Sequence, residues 1–329
     1  STATPSLANS FATELYTGNG GTQSVTTGFK PDFTWIKERS GSEWHNLFDS
    51  VRGSNKSLYS NETSSQATSS NKLTSFDTNG FSLGTDGNVN KASSTYVAWN
   101  WKAGGTPAIN TDGAITSLVS ANQAAGFSIV QWSTSTTLAT VGHGLSSAPE
   151  LIIGKGINWS SSWPVYALPI GNTKKMSLND TSIPSTSTIW GNTTPTATTF
   201  NQDFTGTAGR TNIAYCFTSI SGYSKVGSYT GNGSSTGPIV TTGFEPAFVL
   251  IKATTNDNGG GNWLIYDSAR STSNPRNKRL YPDLNIAEQS NSAYDLDFLS
   301  TGFQPKNGAN YYGFNTNNVE YIYLAIKEN

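Results

Sequence analysis

Short stretches in which apolar and polar residues alternate recur along the whole chain, separated by clusters of Gly, Asn, Ser and Pro. Clear examples are residues 96–102 (YVAWNWK), 213–218 (IAYCFT) and 321–327 (YIYLAIK). Alternation with a period of two is typical of strands, whereas the spacing typical of helices is nearly absent. The pattern therefore predicts an all-β protein built from short strands and turns.

One pattern of strands and turns occurs more than once. Residues 16–37 read YTGNGGTQSVTTGFKPDFTWIK, and residues 229–252 read YTGNGSSTGPIVTTGFEPAFVLIK. A weaker version at residues 130–155 keeps the Gly, the Pro and a final apolar strand that ends in Lys. Downstream, both outer versions carry D-S-x-R after a short apolar strand. This self-similarity predicts tandem repeats.

The expected fold is three diverged repeats, each an antiparallel, jelly-roll-like β-sandwich. The expected boundaries are an N-terminal arm at residues 1–11, units at 12–104, 127–222 and 223–329, and a linker at 105–126. A Gly-Gly-Thr-Pro sequence at the start of the linker favours a break in the chain. Residues 118–125 are the place in the linker where a short helical turn could form.

Composition and charge narrow the classes of function. Only 12% of the residues are charged, against about 25% in an average globular protein. The net charge is −1 and no run of Lys and Arg is present, so nucleic acid is not expected as a partner. No apolar stretch is long enough to span a membrane. Cys216 is the only cysteine, which excludes an internal disulfide.

Residues that usually carry catalysis or bind metals are scarce. His45 and His143 are the only histidines and lie in different repeats, so no transition-metal site is expected. Residues 86–90 have the D-x-N-x-N spacing of a calcium loop, but Lys91 replaces the required Gly, which favours a plain turn. Neither a G-x-S-x-G nucleophile motif nor the alternating carboxylates of many glycosidases occur. We expect no enzyme activity, no metal and no cofactor.

The D-S-x-R sequences are interpreted as structural turns. An Asp at the first turn position accepts a hydrogen bond from the backbone further along the turn. The first and fourth residues come close, so an ion pair is expected between Asp49 and Arg52, and between Asp267 and Arg270. We expect each pair to be partly exposed and weakly stabilising.

Tryptophans beside Asn-, Ser- and Gly-rich segments are candidates for binding a glycan, because sugars stack on aromatic faces. The candidates are Trp44, Trp159, Trp190 and Trp263. The alternative for each is a core or interface position, and for Trp159 and Trp190 the two interpretations are evenly matched.

Several motifs together resemble a known family. They are Y-T-G-N-G with T-T-G-F-x-P, then N-W-x-I-Y-D-S-A-R-S, R-L-Y-P-x-L, D-F-L-S-x-G-F and Y-I-Y-x-A. Residues 119–129 and 141–145 are similar to a middle form of the same domain. The chain resembles, over nearly its whole length from Leu15, a repeated domain of unknown function in virion structural and tail-fibre proteins of tailed, often marine, bacteriophages.

The resemblance implies a bacteriophage virion structural protein on the particle surface. The leading interpretation is a tail-fibre or receptor-binding protein that recognises a host cell-surface glycan. The alternatives are a capsid decoration or head-fibre protein with a purely structural role, and a glycan-degrading β-sandwich enzyme. Other virion proteins are the expected partners, and phage fibres are commonly trimers, which implies a homotrimer.

Overall fold

The first segment of the computed structural model, residues 11–101, folds into two antiparallel sheets. Its elements are β1 (Phe11–Thr17), β2 (Gln23–Thr26), β3 (Phe33–Glu38), β4 (Asn46–Asp49), β5 (Gly53–Leu58), β6 (Ala67–Thr68), β7 (Leu73–Asp77), β8 (Gly80–Leu83), the short helix α1 (Gly87–Asn90) and β9 (Thr95–Trp101). The larger sheet has the order β1-β9-β3-β4-β5-β6, and the smaller one β2-β8-β7. The model describes residues 7, 9–203, 207, 209–255, 261–306 and 314–328.

The second segment, residues 108–217, has the largest sheet of the molecule. Its strands are β10 (Ala108–Asn110), β11 (Ser117–Asn122), β12 (Phe127–Ser133), β13 (Thr140–Gly142), β14 (Leu151–Gly156), β15 (Pro164–Ala167), β16 (Lys174–Ser177), β17 (Ser185–Thr186), β18 (Thr199–Asn201) and β19 (Thr211–Phe217). The larger sheet has the order β10-β11-β12-β19-β14-β15-β16-β17, and β13 pairs with β18. A 3₁₀ turn at Leu168–Ile170 follows β15.

The third segment, residues 224–326, again has two main sheets. Its strands are β20 (Ser224–Thr230), β21 (Val240–Thr241), β22 (Phe248–Ala253), β23 (Leu264–Asp267), β24 (Lys278–Arg279), β25 (Gln289–Ser290), β26 (Leu296–Leu299), β27 (Gly302–Pro305) and β28 (Glu320–Ile326). The sheets have the orders β20-β28-β22-β23 and β21-β27-β26, and β24 pairs with β25. A bridge between Ile265 and Leu280 places residue 280 beside β23.

The structure confirms the prediction of a nearly all-β protein with antiparallel sheets. Two boundaries differ from those predicted. Phe11 is the first residue of β1 and is buried, so it does not belong to an arm. The expected linker contains β10 and β11, and residues 117–122 pair with β12 instead of forming a helical turn. Val119 and Ser120 are buried there, and two-residue periodicity fits that burial better than a helix.

The Y-T-G-N-G turns of the first and third segments are built alike. A Cβ on Gly18 would lie 2.1 Å from Lys91 O, and one on Gly231 would lie 2.2 Å from Thr316 O, so only glycine fits. Asn90 Oδ1 accepts a hydrogen bond from the first turn, as Asn315 Oδ1 does from the third. The Asn at the end of the calcium-like run is therefore a buried structural residue.

Apolar residues form one core inside each segment and a further core between segments. Within each segment, residues of the larger and smaller sheets pack together. The other face of each larger sheet packs into what we call the shared core, which contains buried residues from β3, β9, β12, β14, β19, β22 and β28. Trp101 of the first segment contacts Phe127 and Phe217 of the second and Phe248 of the third. The shared core therefore joins all three segments.

Among the described residues, no helix has the length and apolar character needed to cross a membrane.

Candidate functional site

Polar side chains are buried where the segments meet. We call these contact regions the 1–2, 2–3 and 3–1 junctions, after the segments that form them. A first set of residues directly precedes β4, β15 and β23, and the backbone N–H of each donates to a side chain that follows the next strand. The bonds are His45 N to Asn61 Oδ1 (3.0 Å), Trp163 N to Asn179 Oδ1 (2.8 Å) and Trp263 N to Asp283 Oδ1 (3.0 Å).

The rings of these three residues reach into a neighbouring segment. Trp163 Nε1 donates to Tyr59 O of the first segment (2.8 Å), and Trp263 Nε1 donates to Ser177 O of the second (2.9 Å). The His45 ring lies beside the backbone of Tyr281 in the third segment. The contacts run from the second segment to the first, from the third to the second and from the first to the third, so they close a cycle.

His45 is held as a neutral side chain. Its Nδ1 accepts a hydrogen bond from Trp35 Nε1 (2.8 Å), which assigns the ring proton to Nε2. Burial, followed by the charge of Lys37, lowers the pKa of His45 well below its usual range, although the backbone of Tyr281 and Leu284 opposes the shift. Nε2 has no hydrogen bond of ordinary geometry within the described chain. A fully buried imidazole of this kind is not placed to exchange protons with a ligand.

A second set of polar groups centres on Asp49 in the 1–2 junction. Asp49 Oδ2 lies 2.5 Å from Arg52 Nε, and Asp49 Oδ1 accepts the Arg52 backbone N–H (2.8 Å). Tyr215 of the second segment donates its O–H to Asp49 Oδ2 (2.8 Å). Burial alone would lower the pKa of Arg52, but the Asp49 carboxylate raises it. The charged pair therefore stays ionised and accepts a hydrogen bond from across the junction.

The 3–1 junction repeats this arrangement. Asp267 Oδ2 lies 2.5 Å from Arg270 Nε, and Trp99 of the first segment donates its Nε1–H to the same oxygen (3.0 Å). The two pairs were expected to be partly exposed, and that expectation is wrong. Each side chain of both pairs is at most 1% exposed, because a neighbouring segment covers the turn.

The 2–3 junction has apolar residues at the corresponding positions. Ala167 pairs with Leu151 in the register in which Asp49 pairs with Phe33, and Ile170 replaces the Arg three residues later. Leu324, at the position of Tyr215, replaces the hydrogen-bond donor. The acceptor, its cation and the donor are thus all absent together, which leaves no buried polar group unpaired at these positions.

Three buried lysines end β3, β14 and β22. Lys155 Nζ donates to Thr63 O of the first segment (3.1 Å), and Lys252 Nζ donates to Thr181 O of the second (2.9 Å). Lys37 Nζ donates to Gly41 O of its own segment (3.0 Å). Burial lowers the pKa of Lys37 and of Lys155 to about 8. Two of the three ammonium groups therefore bind backbone carbonyls of a neighbouring segment.

The four tryptophans predicted to bind glycan occupy different environments. Trp263 is the junction residue described above, and Trp190 is 1% exposed against the Tyr166 ring (5.7 Å between centroids). Neither presents a ring face, so glycan contact at these two positions is not carried further. Trp44 is 37% exposed and packs edge-on against Tyr59 (5.0 Å).

Trp159 is half-buried in a polar loop of the second segment. The Arg210 guanidinium lies 4.1 Å from its ring centroid, and its Nε1 donates to Asn212 Oδ1 (3.2 Å). Trp44 and Trp159 are therefore the two predicted tryptophans that a ligand can reach. The structure does not place them in one pocket.

The remaining groups of catalytic type are also enclosed. His143 is buried, its Nδ1 accepts from Leu145 N (3.1 Å), and burial lowers its pKa. Cys216 is buried in β19, and burial raises the pKa of its thiol. No cluster of three His, Cys, Asp or Glu side chains with metal-binding geometry occurs in the described residues. The geometry thus offers interlocking contacts in place of a reaction centre.

A family model described as a domain of unknown function (DUF7483) matches residues 6–329. The chain belongs to this family. No curated protein matches the chain. Because the family description names no activity, the contacts above are the evidence on which a function can rest.

Replacing Asp49 with Ala should lower the free energy of unfolding by about 3–5 kcal/mol, because it leaves a buried guanidinium without its carboxylate. The triple variant Asp49→Ala, Arg52→Ile, Tyr215→Leu carries the residue types of the 2–3 junction and should be more stable than the single variant. Urea denaturation measures both, with exposed Asp112→Ala as control. A triple variant no more stable than Asp49→Ala would contradict this account of the junctions.

Asp283 predicts a pH dependence. Burial raises its pKa from 3.8 to about 6, so folding favours the protonated form; its contribution to stability is present below about pH 4 and is lost as the pH rises through 6. Asn61 and Asn179 accept the equivalent N–H without a charge. Asp283→Asn should therefore raise the free energy of unfolding by about 1–3 kcal/mol at pH 7.5 and change it little at pH 4.

Denaturation at the two pH values checks this expectation, with exposed Asp112→Asn as the matched control. Equal effects of Asp283→Asn at pH 4 and pH 7.5 would show that the charge on Asp283 does not weaken the fold.

Proposed function

We propose that the chain is a non-catalytic structural protein of the bacteriophage virion surface, acting as a tail-fibre or receptor-binding protein for a host cell-surface glycan. The resemblance of its motifs to phage virion proteins supports the setting. The observation that carries the non-catalytic part is that both histidines, the cysteine and both D-S-x-R ion pairs are buried in contacts that hold the fold together.

The same proposal holds that the body consists of three diverged copies of one β-sandwich unit. The larger sheets support it with one strand order: β1-β9-β3-β4-β5, β12-β19-β14-β15-β16 and β20-β28-β22-β23. The cycle formed by His45, Trp163 and Trp263 supports it further, because corresponding positions make corresponding contacts. Three similar units that close on one another form a rigid scaffold from which loops can present binding groups.

Surface recognition is assigned to the exposed aromatic residues of the loops. Trp44 offers an accessible ring beside the Tyr59 ring, and Trp159 lies beside Asn158, whose side chain is exposed. Aromatic rings next to amide groups suit a saccharide, which has apolar C–H faces and hydroxyl groups. On the virion, other virion proteins would hold the opposite side of the body.

The homotrimer stays a prediction. Exposed Ile109 (75%) and Ile239 (65%) are apolar residues that contacts between copies or with other virion proteins could cover. The second candidate function is a capsid decoration or head-fibre protein without a receptor. It is favoured by the burial of Trp190 and Trp263, which leaves only two of the predicted tryptophans accessible.

Binding to an array of bacterial surface polysaccharides tests the receptor function. The wild-type chain should bind at least one glycan, and Trp44→Ala or Trp159→Ala should weaken that binding without lowering the melting temperature by more than a few degrees. Ile239→Ala, which removes an exposed apolar side chain elsewhere, is the matched control. No reducing ends should be released from the bound glycan.

Three outcomes separate the candidates. Reducing ends released by the wild type and lost on changing one carboxylate would establish the glycan-degrading enzyme instead. Absence of glycan binding, together with gold-labelled antibody on the capsid of the intact particle, would establish the decoration protein. Label on tail fibres together with glycan binding supports the leading proposal.

A further inference from the structure

The 2–3 junction contains an open groove of about 280 Å³. One wall is the 3₁₀ turn at Leu168–Ile170 of the second segment, and the other is formed by β20 and β28 of the third. The lining residues are Pro169, Ile170, Ser228, Tyr229, Thr230, Thr254, Glu320 and Ile322. The groove thus combines hydroxyl groups, one carboxylate and an apolar side.

The corresponding place in the 3–1 junction is filled. Glu288 N donates to Arg39 O (2.9 Å), and the Glu288 carboxylate binds the Arg39 guanidinium through two hydrogen bonds (2.9 and 3.0 Å). Arg270 Nη1 reaches the same carboxylate (3.3 Å). Two long cationic side chains and one carboxylate therefore occupy this junction.

The 1–2 junction is filled in a related way. Gln66 N donates to Ile157 O (2.7 Å), and Arg52 Nη1 donates to Gln66 Oε1 (3.1 Å). Ile157 is 7% exposed and packs into the shared core. An apolar side chain, a guanidinium and an amide leave no groove here.

Three substitutions explain why the 2–3 junction is open. Thr254 takes the place of Arg39 and Ile157, since the N–H of each bonds the strand that closes its segment, at Glu320 O, Thr95 O and Thr211 O respectively. Ile170 takes the place of the two arginines. Pro184, five residues after Asn179, has no N–H with which to bond Thr254 O as Gln66 and Glu288 bond their neighbours.

The polar groups of the groove are free to meet a ligand. Glu320 is exposed, and its carboxylate has no hydrogen bond or ion pair within the described residues. Ser228 and Thr230 are exposed on β20 at alternate positions, so both side chains lie on one side of the strand. A carboxylate accepts hydrogen bonds from neighbouring hydroxyls, while Ile170 and Pro169 can contact C–H groups.

We propose that this groove is the saccharide-binding site of the protein and takes a short segment of a neutral glycan. The proposal rests on the receptor function proposed above and gives it a location distinct from Trp44 and Trp159. Glu320 would accept hydrogen bonds from two sugar hydroxyls, Ser228, Thr230 and Thr254 would bond others, and the Pro169 and Ile170 side would contact the apolar face. The groove is too small for a folded partner.

The test uses the full chain and the polysaccharide that gives the strongest signal on an array of bacterial surface glycans. Thr254→Arg copies the residue of the 3–1 junction and should fill the groove, weakening binding about tenfold or more. Glu320→Gln removes the charge and keeps the shape, and should weaken it about tenfold. Thr106→Arg makes the same change as Thr254→Arg on another exposed surface and should leave binding unchanged.

Each remaining result has a distinct meaning. Binding that survives both groove variants but falls with Trp44→Ala or Trp159→Ala overturns the groove site and leaves the receptor function standing. A folded wild-type chain that binds no glycan on the array overturns both. Binding of a polyarginine peptide by the wild type but not by Glu320→Gln, without any glycan binding, would show that the groove takes a cationic peptide and contradict the saccharide site.

Discussion

Each larger sheet is apolar on both faces, and the rest of the structure depends on this constraint. In β9, Trp99 and Trp101 face the shared core, whereas Tyr96 and Ala98 face the core of their own segment. A sheet of this kind needs cover on both faces. Its smaller sheet covers one, so the other is buried against the two other segments. Closing the shared core brings turns and strand ends of different segments together, and their polar groups must then find partners there.

The three junctions meet that requirement with different residues. Where Asp49 or Asp267 is buried, a neighbouring segment supplies Tyr215 or Trp99 as donor. In the 2–3 junction, acceptor, cation and donor are all replaced by apolar residues, so pairing is preserved without charge. The same junction lacks the long side chains that fill the other two, which leaves the groove. A scaffold of similar parts thus acquires a single distinctive surface through changes at a few positions.

The sequence predicts the strands well because alternation reports burial locally, and D-S-x-R spacing predicts the Asp–Arg contacts. It does not predict that the pairs are buried, because the covering residue Tyr215 is 166 positions from Asp49. Aligning tryptophans puts Trp44 beside Trp163 and Trp263, whereas the strand register places His45 there. The lysines that end β3, β14 and β22 recur visibly in the repeats, but their contacts across junctions depend on tertiary packing.

The central claim is that the three segments form one interlocked body. Differential scanning calorimetry of the full chain tests it most directly by comparing the calorimetric enthalpy of unfolding with the van't Hoff enthalpy. The account predicts a single transition in which the two enthalpies agree, because no segment can keep its inner face buried once another has unfolded. Two or three separate transitions, each with the enthalpy expected of one segment, would contradict it.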